Sequence, residues 1–465
     1  MTPHPAPPFD LWSWLPAWQE TWLAGLDPQG IGQRLRQQRL SRLIEQTLRE
    51  SPLYARRAVG ACHLADFQPI GKAELMAHFD DWATDRRITR HAAEAAVRAA
   101  DGVADAWLGD YLVWTSSGTS GEPGIFVQDG PSLAAFDAIE GQRLLGARSA
   151  PSVSALWGMA RRFAYVGAIG GPYAGHVSLQ RLRRLVPAPW TPQITMISIL
   201  EPLQQVAERL QALQPDVLIT YPSCAVALAE WQAQGALQLT LDQLWVGGEQ
   251  LSATHRQRLR DVFGCGVRNS YGASEFYSIA FECSHGRLHL NDDWVVLEPV
   301  DAQGRPMPPG EFSHTTLLTN LANRAQPLLR YELHDRVRFT AERCGCGQAF
   351  PVIEVQGRSD DALVLPAARG GTVTLLPLMV ESVIEEEAQV TQFQLLHRAD
   401  GRLELRLPGR GADGQAAFAR CRQALQSCLD RQGAAPQRLL HGAQPPQRDP
   451  GSGKLRRVID LSPAR

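Results

Sequence analysis

From about Tyr111 onward the chain alternates short apolar runs with amphipathic ones, and this alternation constrains its fold more than any other feature. Leu112–Thr115, Val217–Thr220, Leu244–Val246 and Thr315–Thr319 read as strands, each a short apolar or β-branched run. Leu203–Leu213 and Arg258–Val262 read as helices or parts of helices. Such alternation predicts an α/β architecture, with helices covering a sheet. Upstream, Leu11, Leu15, Trp18 and Trp22 fall at helical spacing. Leu40, Leu43, Ile44 and Leu48 form a second amphipathic stretch that stops near Ser51-Pro52. The first stretch carries no Lys or Arg, which favours a helix packed on the main body over one lying on a membrane.

The chain has 465 residues, enough for two or three domains. A Gly-Arg-Ser-Asp-Asp segment at 357–361 precedes a final stretch that mixes helix (Leu376–Glu387, Ala416–Gln432) with strand (Gln392–Leu396, Leu403–Leu407). The expected boundary therefore separates a large domain, 1–357, from a small α+β domain, 358–465. Lys+Arg is 46 and Asp+Glu is 48, a net charge of −2. That balance excludes a basic nucleic-acid footprint, or a polybasic membrane patch, as a property of the whole chain. The first ten residues lack the charged and apolar regions of a secretory signal. The longest run without a charged residue, Phe163–Gln180, is interrupted by Pro172 and four glycines, so it makes a poor membrane span. A cytoplasmic protein is expected, and its eight scattered cysteines do not read as a disulfide framework.

Only two of the 46 basic residues are lysines, Lys72 and Lys454. An ammonium is a compact point charge on a flexible stem, whereas a guanidinium is a planar fork. In a chain that otherwise uses arginine, the two lysines mark positions where a guanidinium would not serve.

The strongest local motif follows the strand Leu112–Thr115 and reads Ser116-Ser117-Gly118-Thr119-Ser120-Gly121-Glu122-Pro123. Small hydroxyl residues and glycines let backbone N–H groups approach a polyphosphate. It is not a Walker A loop. Four further motifs follow in order: Tyr271-Gly272-Ala273-Ser274-Glu275, Arg330-Tyr331-Glu332-Leu333-His334-Asp335, Gly357-Arg358-Ser359-Asp360-Asp361, and Pro450-Gly451-Ser452-Gly453-Lys454-Leu455. The set resembles the adenylate-forming (AMP-binding) superfamily, and within it the phenylacetate–CoA ligase branch, with its coenzyme F390 synthetase-like relatives. Ser51-Pro52-Leu53-Tyr54, Gly71-Lys72-Ala73-Glu74-Leu75 and Gly247-Gly248-Glu249-Gln250-Leu251 add to the likeness, which runs from about residue 35 to 460.

The resemblance implies attack of a carboxylate on the α-phosphate of ATP, giving an acyl-adenylate and pyrophosphate. A thiol, usually that of CoA, then displaces AMP. Such a site must supply positive charge and aligned donors where charge builds. By the resemblance, Lys454 is the catalytic cation and Glu275 the Mg²⁺-holding carboxylate. Ser116 to Gly121 cradle phosphate, Tyr271 faces adenine, Gly272 and Ser274 of the same motif bind the nucleotide, and Gly248, Glu249 and Gln250 line the nucleotide pocket. Asp335 and Arg358 hold the ribose, and Asp360 is the hinge between half-reactions. Three departures stand out. Tyr331-Glu332-Leu333-His334-Asp335 replaces the usual Tyr-Arg-Thr-Gly-Asp, so His334 takes a glycine's place in the turn. Pro123-Gly124 replaces Pro-Lys, as it often does in the phenylacetate–CoA ligase branch. Leu363–Leu376 lacks the family's Arg-Gly-x-Asn-Val-Phe-Pro pattern, which leaves the acceptor open between CoA, a carrier-protein thiol and an amine.

Cys283-Ser284-His285 and Cys344-Gly345-Cys346 together offer three thiolates and one imidazole, a sufficient set for a structural tetrahedral zinc, with His289 as substitute for His285. Tyr165, Tyr173, Tyr221, Ala273 and Phe276, with Phe163 and Tyr277, are candidates to line the acid's pocket, and aromatic walls suit an aryl or arylacetic acid. The reading is an ATP- and Mg²⁺-dependent ligase that activates a small carboxylic acid, with CoA or a carrier protein as acceptor and no nucleic-acid or membrane partner. Its rivals are an adenylyltransferase acting on a hydroxyl, as in F390 synthetase-like enzymes, and a nucleotide-binding regulator without turnover.

Overall fold

A computed structural model describes residues 9–99, 104–116, 124–144, 161–185, 193–199, 201, 203–358, 363–375, 377–390, 392–409, 411–448 and 455–461. The α/β expectation holds. Among the described residues the largest sheet has nine strands. Five run parallel, in the spatial order Gln193–Ser198, Arg162–Gly167, Val217–Thr220, Gln243–Gly247 and Gly266–Tyr271. Four antiparallel strands extend that edge: Ala280–Glu282, Leu288–Leu290, Val352–Arg358 and Asp335–Phe339. Helices Leu203–Leu213, Pro222–Ala233 and Ala253–Phe263 connect the parallel strands, as crossover geometry requires. Their apolar faces and the sheet close one core around Leu218, Leu228, Leu244 and Leu259, each no more than 1% exposed.

A second core joins the N-terminal helices to the antiparallel strands. Helix Leu11–Leu26 starts at Asp10, whose carboxylate accepts the Trp12 N–H, and it packs on Gly130–Ile139. Trp14 and Trp18 stack at 5.0 Å on that packed side, whereas Trp12 and Trp22 are exposed. The helix is thus held by half of its tryptophans. Helix Gln33–Glu50 stops at Ser51, where Pro52 occupies the first turn of the next helix. Strands Leu112–Thr115 and Ile125–Gln128 pair antiparallel and close the neck of the Ser/Gly motif: Ser116 N–H donates to the Gly124 carbonyl at 2.9 Å, and Gly124 N–H donates to Ser116 Oγ at 2.8 Å. Ser117 to Pro123 lie outside the described residues.

The C-terminal residues have their own core, drawn from Leu363 to Val458. Strands Leu439–His441, Leu403–Arg406, Gln394–His397 and Val458–Asp460 form one sheet, and Ala412–Arg431 lies against it. The stretch expected as one helix after residue 376 is an α-helical turn, Pro377–Ser382, followed by a π-helical one, Val383–Glu387. Leu363–Pro366 and Thr372–Leu375 form a hairpin whose turn uses Gly370 and Gly371 at positive φ. Ser359 to Ala362, including Asp360, lie outside the described residues. No described helix is long and apolar enough to cross a membrane.

Candidate active site

Parallel strands end together, and the loops after their carboxyl ends form one rim. Pro222-Ser223 follow Val217–Thr220, Gly248-Glu249-Gln250 follow Gln243–Gly247, and Gly272 to Glu275 follow Gly266–Tyr271. These segments, with Ser116, Lys72 and Asp335, line a cleft of about 1600 Å³. Its far wall comes from the C-terminal unit and includes Glu381, Arg448, Leu455 and Arg457.

The cleft side chains are held by specific partners. The Tyr271 hydroxyl donates to Asp335 Oδ2 at 2.5 Å. The Tyr331 hydroxyl donates to Glu275 Oε1 at 2.7 Å, and Glu275 is only 9% exposed. Asn320 donates to the Glu275 carbonyl at 3.1 Å and Trp114 Nε1 to the Ser274 carbonyl at 2.8 Å, which ties the loop to the strand preceding Ser116. Gly272 has no room for a side chain, because a Cβ there would stand 1.8 Å from the Tyr277 carbonyl oxygen. Thr316 Oγ1 donates to the Asp335 carbonyl at 2.7 Å and fixes the backbone of that turn. His334 has φ +61°, the left-handed conformation that a glycine would adopt there. The turn therefore survives the replacement, and the Asp335 carboxylate still faces the cleft.

Ser116, Gly248, Glu249, Gln250, Tyr271, Gly272, Ala273, Ser274, Glu275 and Asp335 thus meet on one cleft. Lys72, one of the two lysines, also lines it. Lys454 and Asp360 lie outside the described residues, as does the Arg358 side chain, although Arg358 ends strand Val352–Arg358. The aromatic candidates divide. Ala273 lines the cleft, but Phe276 is fully buried, edge-on to Phe136 at 5.2 Å, and belongs to the core. Tyr165, Tyr173 and Tyr221 do not line the cleft either. The Tyr165 hydroxyl sits where a Cβ on Gly167 or Gly175 would approach it at 2.4 and 2.9 Å, so both glycines make room for the ring. Burial pushes the Tyr221 hydroxyl up to about 12, and it raises the Tyr165 hydroxyl well above its ordinary value too.

Three cysteines and one histidine converge elsewhere on the large sheet and the loop after strand Asp335–Phe339. The ligand atoms of Cys283, His289, Cys344 and Cys346 all lie within 4.8 Å of one another. The histidine is His289 and not His285, which corrects the expectation. Leu288–Leu290 is a strand paired to Val352-Ile353, which buries His289, whereas His285 sits exposed in the turn at Gly286.

Comparison with known proteins gives a consistent picture. No family model matches the sequence. The phenylacetate-coenzyme A ligase of Thermus thermophilus is 29% identical over 303 residues, and the match spans 63% of each chain. The chain therefore aligns with less than two thirds of that relative's length. Among solved structures, 2-hydroxyisobutyryl-CoA ligase in the postadenylation state, in complex with R3-HIB-AMP, superposes with a TM-score of 0.64 at 18% identity, covering 91% of this chain and 88% of that one. The same ligase in the thioesterification state, with 2-HIB-AMP and CoA, superposes at 0.54 and 19% identity, covering 92% and 89%. The chain has the fold of the adenylate-forming ligases, and its sequence likeness lies with their phenylacetate–CoA ligase branch.

Proposed function

We propose that the protein activates a carboxylic acid with ATP, forming an acyl-adenylate and pyrophosphate, and passes the acyl group to CoA. The observation that carries this reading is the meeting of Tyr271, Glu275, Asp335 and the neck of the Ser/Gly loop on one cleft. The opposite wall of that cleft, Leu455 to Arg457, directly follows Lys454 in the chain. The cleft exceeds the roughly 300–1000 Å³ of a typical small-molecule site, so it has room for a nucleotide together with an acid or thiol.

Each residue then has a physical task. Two anions must meet, and charge grows on the α-phosphate as the carboxylate attacks. Lys454 offers an ammonium to both, worth roughly 4 kcal/mol for one contact at about 4 Å and an effective dielectric near 20. Asp335 offers carboxylate oxygens to the two ribose hydroxyls, with Tyr271 fixing its orientation. Tyr271 presents a ring face to the adenine. Glu275 uses Oε1 for Tyr331 and keeps Oε2 for a cation. One or two carboxylates beside phosphate oxygens suit Mg²⁺, which would offset the charge of the leaving pyrophosphate. Residues 358–465 would form the small domain that changes orientation about Asp360 between the two steps.

The Cys283, His289, Cys344 and Cys346 group fits a structural zinc. Tetrahedral ligands at roughly 2.3 Å (sulfur) and 2.0–2.1 Å (nitrogen) from zinc stand about 3.5–3.8 Å apart. Here Cys283 Sγ is 3.7 Å from Cys344 Sγ, and Cys346 Sγ is 3.4 Å from His289 Nε2. His289 Nδ1 faces the Phe350 carbonyl at 2.8 Å, which turns Nε2 toward the thiols. Four protein ligands would close the site and clip Cys344–Cys346 to strand Leu288–Leu290 and the end of strand Ala280–Glu282.

The test is ATP–[³²P]pyrophosphate exchange with aryl, arylacetic and short aliphatic acids, run beside Lys454→Ala. Exchange that depends on the acid and falls roughly 10²–10³-fold in the variant is the expected result. Absence of exchange with every acid would overturn the reading. Thioester formation on adding CoA then settles the acceptor.

A further inference from the structure

Helix Leu11–Leu26 turns an apolar face to solvent. At 3.6 residues per turn, Leu11, Trp12, Leu15, Gln19, Trp22 and Leu26 fall within about 100° of one another around the axis. All six are exposed, Trp12 at 84%, Leu26 at 64% and Trp22 at 55%. Ala17, Thr21 and Ala24 are buried on the opposite side. Five of the six outward side chains are thus large and apolar, and none is charged.

The inward side is firmly held. Trp18 packs where a Cβ on Gly141 would stand 2.6 Å from its ring. Gln142 Nε2 donates to the Trp18 carbonyl at 2.7 Å, and Trp294 Nε1 donates to Thr21 Oγ1 at 2.8 Å. Arg39 pairs with Glu20 at 2.5 Å. The outward face is therefore a fixed surface and not a frayed end. Monomeric soluble proteins rarely leave such a patch uncovered.

Charge and spacing select what covers it. The helix has no Lys or Arg, so it offers nothing to an anionic lipid surface. Its one acidic residue, Glu20, already has Arg39 as its partner. A second copy of the same helix meets no like charge. The spacing also suits a two-fold pair, in which one patch serves both partners. An antiparallel pair centred between Trp18 and Gln19 sets Leu15 opposite Trp22 of the partner subunit, and Leu11 opposite Leu26 of the partner subunit. A tryptophan can bury roughly 150–250 Å², so two of them with three leucines offer on the order of 500 Å² per copy. A standard interface takes about 800 Å² per partner, which places this pair among the weaker, micromolar ones.

We infer that the outward face of helix Leu11–Leu26 is a homodimer interface, formed with the same helix of a second copy. None of its residues lines the cleft, so the pairing is separate from the activity proposed above.

The experiment is sedimentation velocity on the full chain from about 1 to 100 μM, a range that brackets a micromolar dissociation constant. The wild type should pass from monomer to dimer across it. Leu15→Glu and Trp22→Lys are each expected to weaken the dimer roughly tenfold or more. The two substitutions combined in one chain set opposite charges across both contacts and should recover part of the affinity, since an exposed ion pair is worth less than the apolar contact it replaces. Trp12→Ser, at a side chain almost wholly in solvent, serves as the variant that cannot disturb folding, and it should weaken the dimer by a smaller factor. Circular dichroism and melting check every variant. A wild type that stays monomeric throughout overturns the inference, and flotation of that monomer with neutral lipid vesicles, lost in Trp12→Ser, would assign the face to a lipid surface instead. A dimer that none of the substitutions weakens places the interface elsewhere and also overturns it. A combined variant no better than the single ones overturns the antiparallel register.

Discussion

The Tyr331 hydroxyl donates to Glu275 Oε1 at 2.7 Å and so joins two separate sheets. Tyr331 lies on the short third strand of the sheet built from Val295–Val300 and Thr315–Asn320. Glu275 lies on the loop after the last parallel strand of the nine-stranded sheet. The bond holds one carboxylate oxygen and aims the group. Tyr331→Phe removes the donor and keeps the ring. A hydrogen bond to a charged acceptor is worth roughly 1.5–3 kcal/mol, so pyrophosphate exchange should fall about tenfold. The Mg²⁺ concentration for half-maximal exchange should rise with it. Unaltered Mg²⁺ dependence would separate Glu275 from the cation.

Asp335 accepts the Tyr271 hydroxyl at 2.5 Å in a second such pair on the cleft. Asp335→Asn replaces an oxygen acceptor with a donor, so on the proposed reading one ribose hydroxyl would meet an N–H group instead. The expected result is a rise in KM for ATP of roughly ten- to hundredfold, with KM for the acid little changed. Tyr271→Phe keeps the ring and should have the smaller effect. If both variants raise KM for the acid instead, this end of the cleft holds the acid.

These residues could be found from sequence because each stands directly after a strand end or in a turn of fixed conformation. Gly272 has no room for a Cβ, and His334 shows that the turn before Asp335 needs positive φ and not glycine as such. Motif spelling alone left that turn open. Strand Gly266–Tyr271 was harder to read, because Arg268, Asn269 and Ser270 interrupt its apolar pattern and its place is set by pairing with Gln243–Gly247. The aromatic candidates are hard to place from sequence for another reason: apolar character does not distinguish a cleft wall from core. Phe276 directly follows Glu275, yet it packs against Phe136. The Glu249 contact to Leu455 joins positions 206 residues apart and left no local signal.

The same limit of local reading decided the metal group. Proximity in sequence favoured His285, two residues from Cys283, but the strand register delivers His289. Metal analysis of the purified protein should find one zinc per chain. His289→Ala should lose it, and His285→Ala should retain it. Binding at a thousandfold above Kd stabilises by about 4 kcal/mol. At roughly 2 °C per kcal/mol for a large chain, loss of zinc lowers Tm by about 8 °C. Zinc retained in His289→Ala and lost in His285→Ala would reverse the assignment.

Glu140 gives the fold a pH dependence of its own. It lies at the end of helix Gly130–Ile139, and its Oε1 accepts the Ser278 hydroxyl at 3.3 Å. Burial, with Asp137 adding like charge, pushes its carboxyl up to about 8 from an ordinary value near 4.5. Arg181 counters this weakly, since both of its terminal nitrogens are engaged by Asp137 at 2.7 and 3.1 Å. Tyr277 also lies close, and burial raises its hydroxyl too. The native state thus binds a proton that the unfolded chain has released over most of this range. Stability associated with Glu140 is fully present below about pH 4.5 and is lost as pH rises toward 8, by at most about 1.4 kcal/mol per pH unit. Glu140→Gln keeps the shape and cannot ionise. Thermal melts should show wild type and variant nearly together near pH 5, and the variant melting higher by a widening margin up to pH 8, constant above it. Melting curves that stay parallel from pH 5 to 8.5 would show that Glu140 is ionised in the folded protein throughout, with its charge compensated by Arg181.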